Sequence, residues 1–365
     1  MHASKSDLFV LRTWIKLIII MTCMLILEIT VPIAATFPNI GFPCYFSTIV
    51  DYNSLNLTQR NTAKHLTPTL FLETPEMYVY ITWSTIVDAL VVVYYMSSLY
   101  GILKAKKTHI HTMTCLQNWM VVTGNPSVLF LGILRMWTIQ LFVHTLSYKH
   151  IFLAAFVYAA HLFISILHVQ GMVSRNSSKA QFDLQNKEIP TQTFLECVLK
   201  SWKPIYINIY MSLLALEMLV FSLSFMMAIC NSFYMLVSDA VFGAINLFLI
   251  LTVIWYLNLE LFVARYLKVH IGFYAGVFVG YIILLLPVLR YDKVFVAANL
   301  HQAITINITA IPVISLIALL LRAWKLCTSS QKYKYSQLPP KRTSSPKVHK
   351  SAIMEPCSSD EEDIL

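Results

Sequence analysis

The chain has 365 residues, of which 57% are hydrophobic and only 12% charged, against about 25% charged in ordinary soluble domains. A mean hydropathy of +0.65 is more apolar surface than a soluble core of this length can hide, so lipid is the expected solvent for most of the chain. The formal net charge of +9 does not point to nucleic acid, because no basic stripe is interleaved with stacking aromatics.

A spanning helix needs about 20 apolar residues. Runs near 15–36, 77–103, 119–146, 151–173, 204–229, 237–263, 272–290 and 302–323 read as eight such spans. They are helices because an open sheet edge would strand its backbone groups in hydrocarbon. The expected fold is all-α: a polytopic integral membrane protein with a cytosolic N-terminus over 1–14, an eight-span bundle over 15–323 and a disordered cytosolic tail over 324–365.

Orientation follows from the cations. With the N-terminus inside, the inner segments hold Lys5, Arg12, Lys16, Lys104, Lys106, Lys107, Arg175, Lys179, Lys187, Lys200, Lys203, Arg265, Lys268 and eight more in the tail. The outer segments hold five, Arg60, Lys64, Lys149, Arg290 and Lys293. Cations resist translocation, so the excess marks the cytosolic face.

The first span has a second reading. Lys5, Arg12 and Lys16 ahead of a run ending Ile33-Ala34-Ala35 also look like a signal peptide. Cleavage there would leave seven spans, as in a receptor. The run is long for a signal core and holds Glu28, which favours an uncleaved span.

The outer loop near 37–76 carries Pro38, Gly41, Pro43 and Cys44. Prolines around a glycine impose a rigid, non-helical path. Cys44 faces the oxidising compartment, where thiols rarely stay free. It has two candidate partners, Cys230 near the end of span 5 or a cysteine of another chain. Of the three glycosylation sequons, at Asn56, Asn176 and Asn307, only Asn56 lies on the outer side and clear of the bilayer.

Ionisable residues inside spans are costly and mark functional candidates. They are Glu28, Asp88, Arg135, Glu217 and Glu260, with His144, His161 and His168 beside them. A transporter would use such groups for ion coupling. An interior ion pair of Arg135 with Asp88 or Glu217, holding the bundle in register, is the favoured reading because no span carries paired carboxylates. Gly124-Asn125-Pro126 predicts a break or kink in span 3. In span 7, Gly272, Gly276 and Gly280 form one groove that lets a neighbouring backbone approach.

The tail turns abruptly to Ser, Pro and Lys. Tyr335-Ser336-Gln337-Leu338 has the Tyr-x-x-apolar form that clathrin adaptors read as an extended peptide. Ser358, Ser359, Asp360, Glu361, Glu362 and Asp363 form an acidic cluster with phosphorylatable serines. Together they suggest cycling between endosomes and the trans-Golgi. No GxSxG, HExxH, GxGxxG or GxxxxGK[ST] motif occurs, and the seven cysteines show no zinc spacing, so no enzyme activity, cofactor or metal is expected.

The stretch Phe37–Val50 with Asp51-Tyr52, Leu55-Asn56-Leu57-Thr58, His65-Leu66-Thr67-Pro68 and Leu70-Phe71-Leu72 resembles herpesvirus glycoprotein M, most closely the betaherpesvirus branch. Tyr266-Leu267-Lys268 leading to Gly272, and Pro287 before Tyr291-Asp292, are similar to that family too. The resemblance implies an eight-span envelope glycoprotein with both termini cytosolic. It further implies a disulfide from Cys44 to the small glycoprotein N, a glycan at Asn56, and clathrin adaptors and membrane lipids as further partners. The implied sites are the virion membrane and host Golgi, trans-Golgi network and endosome membranes, with the host nuclear membrane as a further one. The implied role is escort of glycoprotein N in virion assembly, envelopment and egress.

Overall fold

The computed structural model describes residues 5–37, 74–108, 113–148, 150–173, 187, 189–267, 269–290 and 292–336. Every regular element among them is helical. In chain order they are α1 (Lys5–Ala34), α2 (Thr74–Thr108), α3 (Met113–Thr123), α4 (Pro126–Ser147) and α5 (Ile151–Val173). A short α6 (Phe194–Cys197) runs through a π-helical turn (Val198–Trp202) into α7 (Lys203–Phe233). Then come α8 (Val237–Leu261), α9 (Gly272–Arg290), α10 (Asp292–Ala297) and α11 (His301–Ser336).

Among the described residues, eight helical stretches are long and apolar enough to cross a membrane: Phe9–Ala34, Glu76–Lys106, Leu116–Ser147, Ile151–Val173, Phe194–Phe233, Val237–Arg265, Gly272–Arg290 and His301–Thr328. They are the eight expected from the apolar runs, in the same order.

The helices fall into two units, Met1–Leu321 and Arg322–Leu365. In the first, α7 is the hub and packs on α2, α5, α8 and α9, while α4 packs on α1 and α5. The most apolar stretch of the α7 span is 78% buried, against 17% for α1 and 22% for α11. The outer helices therefore turn most of their side chains to lipid, as expected where the surrounding solvent is itself apolar. In the second unit the backbone of 324–336, expected to belong to a disordered tail, continues α11 as helix. No glycine or proline interrupts residues 322–338, and Pro339 is the first breaker.

The predicted break in span 3 separates α3 from α4. Asn125 caps α4 by accepting from Val128 N at 2.9 Å, and Pro126 occupies the first turn, where its missing N–H costs nothing. The break frees carbonyls at the end of α3, which in lipid must find donors. Three other helices supply them: Lys203 Nζ to Val122 O, Tyr94 Oη to Thr123 O and Trp14 Nε1 to Gly124 O, each at 2.9 Å. The buried Lys203 ammonium thus does structural work at a helix end.

Helix α11 is fastened to α8 by two polar contacts. Tyr256 Oη donates to Ser315 Oγ at 2.7 Å, and Asn307 Nδ2 donates to Asn246 Oδ1 at 2.8 Å. Asn307 is therefore occupied inside the bundle, in keeping with the exclusion of its sequon.

Candidate functional site

Arg135 sits at mid-span in α4, wholly buried, and four other helices send polar groups into the cluster around it. Its Nη1 pairs with Asp88 of α2. Its Nε and Nη2 hold Glu217 Oε1 of α7 at 3.2 and 3.0 Å. The Tyr210 ring lies under the guanidinium, 4.7 Å from centroid to Cζ, and Ser84 Oγ is 3.5 Å from Nη2. Sequence reasoning offered Asp88 or Glu217 as the partner; the structure brings both to the same guanidinium. A guanidinium presents donors in a planar fork, so two carboxylates on different helices can share it.

Helix α5 completes the cluster. His161 Nε2 is 3.3 Å from Glu217 Oε1, and its Nδ1 is 2.9 Å from Thr138 Oγ1. His168 Nδ1 meets Tyr210 Oη at 3.0 Å, and the Tyr80 and Tyr158 hydroxyls bond at 2.5 Å. Glu28 of α1 faces Asp88, Arg135 and Glu217. The tyrosines and Thr138 were not singled out from sequence, since each is an ordinary interface residue read alone. Glu260 lies elsewhere, in the last turn of α8, and His144 in the last turn of α4.

The glycine seam forms a second feature, on the other side of α7. A methyl group on Gly272 would run into the Asn208 backbone, and one on Gly276 into that of Ser212. Gly280 has more room: its nearest neighbours would be Phe248 Cζ at 3.3 Å and Leu216 Cδ2 at 3.6 Å. Asn208 also caps the start of α9, accepting from Ile271 N at 2.7 Å and Gly272 N at 2.9 Å. Its amide donates to Val269 O at 3.0 Å and Pro204 O at 2.9 Å. One side chain thereby fills the backbone groups of both helices, and nothing in the sequence singled it out.

Cys44, Asn56, Leu338 and the cluster Ser358, Ser359, Asp360, Glu361, Glu362 and Asp363 lie outside the described residues. Tyr335 falls on the last turn of α11. Cys230, the candidate internal partner for Cys44, is a free and buried thiol whose Sγ lies 3.2 Å from Met235 O. Among the described residues no group of three His, Cys, Asp or Glu is placed to hold a metal ion.

Comparison with known proteins places this architecture. The family model for herpesvirus glycoprotein M matches residues 7–338. The chain belongs to that family. It is 50% identical to envelope glycoprotein M of Human herpesvirus 8 type P (isolate GK18) over 96% of this chain and 88% of that one. It is 53% identical to envelope glycoprotein M of Saimiriine herpesvirus 2 (strain 11) over 94% of each. The betaherpesvirus leaning expected from the loop stretches is corrected by these identities: against envelope glycoprotein M of Murid herpesvirus 1 (strain K181) the figure is 28%, over 85% of this chain and 87% of that one. The short stretches that carried the resemblance identify the family and not its branch. No solved structure matches the chain. Membership makes it a herpesvirus envelope glycoprotein, and its eight apolar helices fit a multi-pass protein of the virion membrane.

Proposed function

We propose that this chain is a non-enzymatic escort that carries glycoprotein N through the secretory pathway by a disulfide from Cys44, and so supports virion assembly, envelopment and egress. The observation that carries the reading is the family match over residues 7–338, a range that includes the loop with Cys44 and the sequon at Asn56. The state of Cys230 supports it: a buried thiol already held near the Met235 carbonyl is a poor partner for a loop cysteine. In this reading the bundle is a rigid platform, Asn56 carries a glycan on the outer side, and the tail recruits clathrin adaptors from trans-Golgi and endosomal membranes. An adaptor that binds Tyr335-Ser336-Gln337-Leu338 in extended form has to unwind the last turn of α11 first.

Co-expression with glycoprotein N tests the covalent link. On a non-reducing gel the two should migrate together, and Cys44→Ser should release the partner while leaving this chain's abundance unchanged. A complex that survives Cys44→Ser without change in migration overturns the disulfide. Truncation after Ser330 should move the protein out of the trans-Golgi; an unchanged steady-state distribution removes the sorting role of the tail.

A further inference from the structure

The ionic cluster does not balance its charge with the side chains alone. Three carboxyl groups, Glu28, Asp88 and Glu217, surround one guanidinium, and none is more than 2% exposed. If all four were ionised, two negative charges would stand uncompensated in the middle of a membrane bundle, where even one is costly.

The geometry shows where the missing positive charge belongs. Glu28 of α1 lies against Asp88 of α2, with Arg135 of α4 and Glu217 of α7 as its other charged neighbours. Asp88 in turn faces Glu28, Arg135, Glu217 and His161 of α5. Neither oxygen of Glu28 meets a donor, nor does Oδ2 of Asp88, whose other oxygen is taken by Arg135. Two buried carboxyls side by side do not both ionise; one proton between them turns repulsion into a hydrogen bond.

His161 lies beside the cluster, its Nδ1 2.9 Å from Thr138 Oγ1, a hydroxyl that is also 2.9 Å from Arg135 O. The opposite ring nitrogen, Nε2, faces the acceptor Glu217 Oε1 at 3.3 Å. One proton between Glu28 and Asp88 removes one of the two uncompensated charges.

We propose that this cluster is a proton-binding site, with one proton shared by the Glu28 and Asp88 carboxyls. A proton suits it better than a metal ion, since no set of three ligating groups stands at metal-binding range among the described residues. The shared proton also joins α1 to the bundle, where a second polar link runs from Gln140 Nε2 of α4 to Met24 O of α1 at 3.3 Å. This inference is independent of any partner protein.

Infrared spectroscopy of the purified full chain in lipid nanodiscs tests the proposal. We expect a protonated-carboxyl C=O band at neutral pH that shifts in D2O and disappears in both Glu28→Gln and Asp88→Asn. Glu28→Gln should fold, because its amide N–H can donate to Asp88 as the shared proton did. If either variant does not fold, 13C labelling of Glu and Asp carboxyls in the wild-type chain assigns the band without substitution. A wild-type chain with no such carboxyl band overturns the shared proton.

Discussion

Opposite faces of α7 hold their neighbours by different physics. On one face Tyr210 and Glu217 reach the guanidinium of Arg135, and contact is specified by charge. On the other, Asn208, Ser212, Leu216 and Leu219 receive the glycines of α9, and contact is specified by shape. In lipid there is no hydrophobic driving force between helices, so an interface needs either polar groups or unusually close packing. The charge seam tolerates changes of shape but not the loss of one member. The shape seam tolerates changes of polarity but not added volume.

The sharpest way to break the charge seam is Arg135→Met. It leaves Asp88 and Glu217 buried without their cation, a loss of about 3–5 kcal/mol where one partner of a buried pair is removed. Thermal unfolding in detergent should show a collapse in the folded fraction. A melting point equal to that of the wild type would mean that the cluster is not a structural core.

Next in size is the shape seam. Gly276→Ala pushes a methyl into the Ser212 backbone, and overpacking of this kind costs about 1–3 kcal/mol. Gly280→Ala has neighbouring side chains that need to give only slightly, and with the helix propensity gained it should stay within about 1 kcal/mol of wild type. Equal effects at the two sites would show that α9 does not seat its first two glycines against the α7 backbone.

The cap at the end of the shape seam is smaller again. Asn208→Ala leaves Ile271 N and Gly272 N without their acceptor, at about 1 kcal/mol for a lost N-cap. Faster amide exchange at residues 271–272 should report it, and Asn208→Asp should restore protection there because the acceptor oxygen remains. Smallest of all is Tyr256→Phe, which removes the bond to Ser315; interhelical hydrogen bonds in membranes average about 0.6 kcal/mol. A loss of stability larger than that of Asn208→Ala would make the α11 attachment, and not the α9 cap, the stronger of the two polar links.

The spans were legible because each carries its own signal: about twenty apolar residues, a length set by the bilayer and not by any neighbour. The break at Gly124-Asn125-Pro126 was legible for the same reason, since proline and glycine act on the local backbone. The groups that make the break tolerable were not: Trp14, Tyr94 and Lys203 come from three other helices, and the sequence holds no mark of which lysine or tyrosine will meet a freed carbonyl. Glu28 was visible as an intramembrane acid, yet its place beside Asp88, sixty residues away, was not. The helical continuation of 324–336 is not legible in its polar composition, although no glycine or proline breaks the chain before Pro339.

Sequence alone determined the solvent, the number of spans and the family, because hydrophobicity, span length and family motifs are written along the chain and need no partner to be read. Tertiary structure alone decided that one guanidinium serves two carboxylates, and that one asparagine caps a helix over sixty residues downstream. Both depend on the rotation of each helix about its own axis. In a bundle whose helices are apolar nearly all round, periodicity does not set that rotation; the contacts of the assembled bundle do.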